Sequence, residues 1–127
     1  MSDPEISGLA GVLVWTEASR FAAMRRFYVE TLGLRPRSDR DGFVNFAWGD
    51  QRLTVSVHAD VTGAARNPLR LMLNLRVDHI EAAHRRLRDA GVAFARPPER
   101  EPWGGVVATF ADPDGNTLQL MQLPAGG

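Results

Sequence analysis

Among its 127 residues the chain has no cysteine and no lysine. Without thiols it forms no disulfide, has no thiolate nucleophile and holds no cysteine-ligated metal. All fifteen basic residues are arginine, a usage that points to a GC-rich bacterial genome and bears on origin, not mechanism. Fifteen basic residues balance fifteen acidic ones. No excess of one sign recommends nucleic acid or a membrane surface as partner. No apolar run approaches the ~20 residues that span a bilayer. The start Met1-Ser2-Asp3-Pro4-Glu5 lacks a basic segment and a long apolar one, so no signal peptide is expected and a cytoplasmic location is the default. Nucleophile elbow, phosphate-cradling glycine loop and dinucleotide fingerprint are also missing.

What remains is 44% hydrophobic, a length and composition that fit one globular domain. Residues 1–8 read as a loose tail. Leu9 to Thr16 is apolar and β-branched and predicts a strand. Ser19 stands where it can cap a helix bearing Phe21, Met24, Tyr28 and Leu32 at helical spacing, ended by Gly33. Leu34 to Arg37 suits a short edge strand, because Pro36 cannot donate to a ladder. After the Asp41-Gly42 turn, Phe43 to Trp48 and Arg52 to His58 form a hairpin around Gly49-Asp50. Ala59 to Pro68 is a polar, small-residue connection.

The order then recurs. Leu69 to Val77 predicts a strand. Asp78 is placed to cap a helix, with Glu81 completing a capping box and Ile80, Ala83, Leu87 and Ala90 as its buried stripe. Gly91 ends the helix, and Val92 to Ala95 is a short strand broken by Arg96-Pro97-Pro98. Gly105 to Ala111 and Asn116 to Gln122 form a second hairpin around Asp112-Pro113-Asp114-Gly115, a turn in which Asp and Asn bond their own backbone. Residues 123–127 read as a second tail. The chain is thus expected to be α+β, with two βαβββ modules at about 9–58 and 69–122 in one domain of residues 9–122. Local matches agree: Phe27 to Leu34 parallels Arg85 to Val92, and Phe46-Ala47-Trp48-Gly49-Asp50 parallels Phe110-Ala111-Asp112-Pro113-Asp114.

This pattern resembles the vicinal oxygen chelate superfamily of glyoxalase I, bleomycin-resistance proteins and extradiol dioxygenases. The carriers are Phe27-Tyr28 with Leu32-Gly33-Leu34, Ala90-Gly91-Val92, Pro102-Trp103-Gly104 and Asp112-Pro113-Asp114-Gly115-Asn116. The resemblance implies paired modules whose sheets curl around a groove, in a homodimer. It also implies, for metal-dependent members, one ligand on the first and one on the last strand of each module, usually two His or Gln and two Glu. Here the first strand holds no His, Glu, Gln or Asp, and the other positions hold Thr54, Met72 and Gln119. A hydroxyl, a thioether and an amide do not neutralise a divalent ion. The expectation is therefore no metal, no other cofactor and no catalytic residue.

Strand alternation supplies the rest of a candidate ligand face: Thr54, Ser56 and His58 on one strand, Arg70, Met72 and Asn74 on another, Gln119 on the last. Methionine, hydroxyls, amides and arginine together suit an organic ligand. His58 is the one imidazole able to enter this face but reads first as an exposed strand-end histidine, and His79 and His84 read as solvent-facing. Trp15, Trp48 and Trp103 offer flat faces for stacking, or packing surface in the core or a dimer. In bleomycin-resistance-like members a tryptophan in the Pro102-Trp103-Gly104 context lies near the groove. Asp112 and Asp114 read as turn formers and not as an acid–base pair. The sequence is thus read as a homodimer binding a small organic molecule, as in antibiotic sequestration. The alternatives are a metal-dependent lyase, isomerase or dioxygenase using an unusual set such as His58 and Gln119, and a scaffold without a ligand.

Overall fold

The structure, a computed structural model, describes residues 5–125. Residues 1–4 and 126–127, the outer ends of the two expected tails, lie outside the described residues. The chain divides into two compact units, Met1–Thr62 and Gly63–Gly127. No helix among the described residues is long and apolar enough to cross a membrane.

In the first unit, β1 (Gly11–Thr16) leads through a 3₁₀ turn, Ala18–Arg20, into α1 (Phe21–Arg26) and a wider π-helical turn, Phe27–Thr31. Three strands follow: β2 (Ser38–Arg40), β3 (Phe43–Trp48) and β4 (Gln51–Val57). The sheet runs β1-β4-β3-β2, with β1 parallel to β4 and the others antiparallel. Val44, Phe46, Leu53 and Val55 share one face. Against it pack Met24 and Tyr28, both fully buried, with the Tyr28 ring stacked 6.4 Å from Phe46. Truncating such an aromatic to alanine costs about 3–5 kcal/mol.

The second unit repeats this topology. It contains β5 (Met72–Arg76), α2 (Ile80–Asp89), β6 (Arg96–Arg100), β7 (Val106–Ala111) and β8 (Thr117–Gln122), ordered β5-β8-β7-β6. Leu118, Leu120, Ala108 and Phe110 form its helix-facing side, closed by Ile80 and Leu87 of α2. Both helices stop at a glycine with positive φ, Gly33 at 77° and Gly91 at 98°. The chain then folds back, Leu34 N–H bonding Tyr28 O and Val92 N–H bonding Leu87 O. Two four-stranded mixed sheets with the same strand order make this the α+β, paired βαβββ fold.

Several local expectations are corrected. Ser19 caps nothing; it lies inside the 3₁₀ turn. The edge strand begins at Ser38, past Pro36, because Arg37 N–H is the first donor able to reach β3, at Asn45 O. Asp78 makes no capping bond to α2. Instead Gln122 on β8 accepts a hydrogen bond from Ile80 N–H at 2.8 Å, so the sheet caps the helix. Ala90 is exposed at the helix end. The β6 strand comprises Arg96 to Arg100 and includes both prolines. They are tolerated because β6 is an edge and its register with β7 shifts between Arg96 and Glu99. His84 is not solvent-facing: its ring meets Phe94 edge-on at 4.5 Å.

Candidate functional site

Each sheet has a second face, away from its helix. In the first unit, pairing aligns Leu13 with Thr54, Thr54 with Asn45, and Asn45 with Ser38, a row across all four strands. One step along, Trp15 lies beside Ser56 and Ser56 beside Phe43. Leu13 and Trp15 are 56% and 41% exposed, whereas Thr54 and Asn45 are buried.

His58 follows β4 and sets its ring edge-on to Trp15 at 4.9 Å. Its Nδ1 accepts the Asp60 N–H at 3.1 Å, which fixes the imidazole in its own turn. Ser56 Oγ donates to Gly42 O and so serves the Asp41-Gly42 turn. Trp48 has the parity of Val44 and Phe46, which puts it on the helix side of the sheet. It is therefore on the opposite face from Thr54, against the expected grouping.

The equivalent row in the second unit is Asn74, Gln119, Thr109 and Arg96. Here the polar groups satisfy one another. Gln119 Nε2 donates to Asn74 Oδ1 at 2.9 Å, and Gln119 Oε1 accepts from Thr109 Oγ1 at 3.5 Å. Met72 shares this face one step along, beside Thr117. Arg70 does not. Residues 69–71 precede β5, in a turn closed by Arg70 N–H to Asn67 O, and Leu69 and Leu71 are 79% and 81% exposed. The strand expected over Leu69 to Val77 thus begins only at Met72, and the half-buried residues along it are Leu73, Leu75 and Val77.

Trp103 lies in a loop closed by Glu101 N–H to Gly105 O and Gly104 N–H to Glu101 O. Arg96 anchors the loop through Glu101 at 2.6 Å, and Arg100 donates to Gly104 O. The hydrogen bonds that Arg96 donates to Glu99 and then Glu101 raise its pKa, keeping that guanidinium charged. The Trp103 indole lies over Gly105, in the space a β-carbon there would need. Gly105 has the parity of Val107 and Thr109, so the half-exposed indole lies at the end of the face that carries Gln119.

The metal positions of the resembled family are tested by register. Met72 beside Thr117 corresponds, through Leu73–Leu118 and Val12–Leu53, to Gly11 beside Arg52. The four positions therefore hold Gly11, Thr54, Met72 and Gln119. A β-carbon at residue 11 would strike the Arg52 carbonyl oxygen, so no ligand side chain fits there without a backbone shift. The Gln119 amide is engaged at both ends. This donor set does not fit a divalent cation. Among the described residues no three His, Asp or Glu side chains gather into a metal-binding group. The Asp112 carboxylate of the β7–β8 turn is engaged locally: Oδ1 accepts Asp114 N–H and Asn116 N–H, and Oδ2 accepts the Asn116 amide.

The sequence reading missed Asn45. Its Oδ1 is enclosed, with no hydrogen-bond partner. The available signal was a lone amide between apolar residues in Phe43-Val44-Asn45-Phe46.

A family model, that of the Glyoxalase/Bleomycin resistance protein/Dioxygenase superfamily, matches residues 18–120. No curated protein matches the sequence. Among solved structures, TnmS3, an antibiotic binding protein from Streptomyces sp. CB03234, is similar at 30% identity and TM-score 0.72, over 94% of this chain and 98% of that one. A glyoxalase-related enzyme from Fulvimarina pelagi shares the fold at 21% identity and TM-score 0.74, over 93% and 89%. A superfamily member from Sphaerobacter thermophilus shares it at 24% and 0.70, over 93% and 98%.

Proposed function

The chain belongs to the glyoxalase/bleomycin resistance protein/dioxygenase superfamily, and from that membership we propose that it binds a small organic, antibiotic-like molecule, as a homodimer and without a metal. One observation carries this reading. The helix-free faces combine half-exposed indole and aliphatic surface with neutral hydrogen-bonding groups, at Leu13, Trp15 and Thr54 in one unit and Trp103, Asn74 and Gln119 in the other. Apolar walls with a few orienting polar groups are what an organic ligand of mixed polarity needs.

The chemistry is binding and not bond-making. Indole faces stack on a flat ligand and remove its apolar surface from water, at ~25 cal/mol per Å². The amide of Asn74, whose Oδ1 is occupied by Gln119 Nε2, has its N–H groups left to donate to the ligand. The likeness to an antibiotic binding protein supports sequestration over turnover. The neutral donor set at the positions where metal-dependent members of the family carry ligands supports the same choice.

A thermal-shift screen of flat, polycyclic and glycopeptide compounds tests this. A ligand at a hundred times its Kd raises stability by about 2.7 kcal/mol, a readily measured shift. A screen without any stabilising compound overturns the reading. Light scattering at micromolar concentration checks the dimer; a monomer mass would refute that part alone.

A further inference from the structure

The two sheets carry the same row of positions, and they fill it differently. In the second unit, Asn74, Gln119 and Thr109 close their hydrogen bonds among themselves. In the first, the corresponding residues are Leu13, Thr54 and Asn45. Leu13 has nothing to offer, and Asn45 Oδ1 is left without a donor although the residue is only 8% exposed. Buried carbonyls are almost always paired, because an unmet one forfeits its hydration. The backbone of Asn45 is tied down, its carbonyl accepting Arg37 N–H at 2.8 Å and its strand paired on both sides. Only the side chain is unsatisfied.

Two strands away in the same row, across Thr54 of β4, stands an apolar wall. Leu13 and Trp15 occupy β1 on the same face, more than two-fifths exposed, and the indole is braced by His58. His58 is itself held by Asp60 N–H. Phe43, two residues before Asn45, has the Arg40 guanidinium over its ring at 4.3 Å. We propose that Asn45 determines the ligand specificity of this face: its side-chain carbonyl, enclosed in the free protein, turns by a rotamer change to take a hydrogen bond from an N–H or O–H on a planar aromatic ligand lying across Thr54 against Leu13 and Trp15. The inference rests on the binding function argued above and narrows its ligand to aromatics with a hydrogen-bond donor on the ring edge.

The proposal makes the unmet carbonyl a cost of the empty protein that binding removes. An apolar residue at 45 should therefore leave the free protein at least as stable, while erasing selectivity for a donor. A purely structural asparagine would behave otherwise, since its loss would lower stability.

Fluorescence titration with 1-hydroxypyrene and 1-methoxypyrene separates these cases, because the two differ by a single O–H. The wild type is expected to bind the hydroxyl compound about tenfold more tightly. Asn45→Leu should bind both equally, at the weaker affinity, with an unligated Tm no lower than wild type. Asn45→Val, which suits a strand, serves if the leucine variant does not fold. Equal binding of the two probes by the wild type, or discrimination surviving in the variants, overturns the inference and leaves the binding function standing. Binding of neither probe by the wild type overturns the inference, and the binding function falls with it when the thermal-shift screen is also empty.

Discussion

The six-membered ring of the Trp103 indole fills the place that a β-carbon on Gly105 would take, so any larger residue there would collide with it. The glycine is thus a seat for the tryptophan and not a turn former; the positive φ of this loop belongs to Gly104, at 99°. Gly105→Ala should displace the indole without deleting it. Ligand-induced thermal stabilisation is expected to fall to the level of Trp103→Ala, with the unligated Tm lowered by only a few degrees. A Gly105→Ala protein that binds as wild type would show that Trp103 has no part in the site.

Trp15 and Trp48 lie on opposite faces of one sheet. Trp15→Ala should weaken binding of an aromatic ligand by about tenfold, the scale of one stacking contact. Trp48→Ala should leave affinity unchanged. Isothermal titration of both variants with the same compound checks the assignment; equal losses would refute the face assignment.

Metal independence has its own test. Thr54, Met72 and Gln119 bring no charge, and Gly11 has no room for a side chain. Protein purified without chelator should contain no stoichiometric transition metal by mass spectrometry. EDTA should change neither Tm nor ligand affinity. One equivalent of bound nickel, zinc, iron or manganese would contradict this reading of the donor set.

The start of α2 depends on a residue 42 positions away, Gln122, whose Oε1 accepts from Ile80 N–H. Gln122→Ala should cost about 1 kcal/mol, as the loss of a side-chain cap does. Asp78→Ala should cost little, since Asp78 makes no capping bond. Chemical denaturation of the two variants reads the difference directly.

Asp112 accepts three hydrogen bonds in the β7–β8 turn while 5% exposed. Asp112→Ala leaves those donors unmet and should destabilise by about 2–3 kcal/mol. Asp112→Asn retains one acceptor oxygen and should fall between. If Asp112→Ala instead kept full stability and lost ligand binding, the turn would belong to the site.

The repeat was legible because it is written in local chemistry. Glycines end both helices, Gly49-Asp50 fits a two-residue loop between paired Trp48 and Gln51, and alternation marks the core of β4 and β8. Where the reading failed, the deciding partner was distant in sequence. Asp78 fits a cap by spacing, but a glutamine from the last strand takes the donor. Pro97 and Pro98 look like breakers until β6 proves to be an edge. Leu69 and Leu71 continue an alternation whose strand begins only at Met72.

The sequence by itself determined the two-module architecture and the absence of charged ligands at the expected metal positions, since both depend on residue type and on spacing within a module. Only the tertiary structure decided which side chains share a face, because strand register fixes that and one residue of phase inverts it. Register turned Trp48 away from Thr54, set Asn74 against Gln119, and left the carbonyl of Asn45 without a donor.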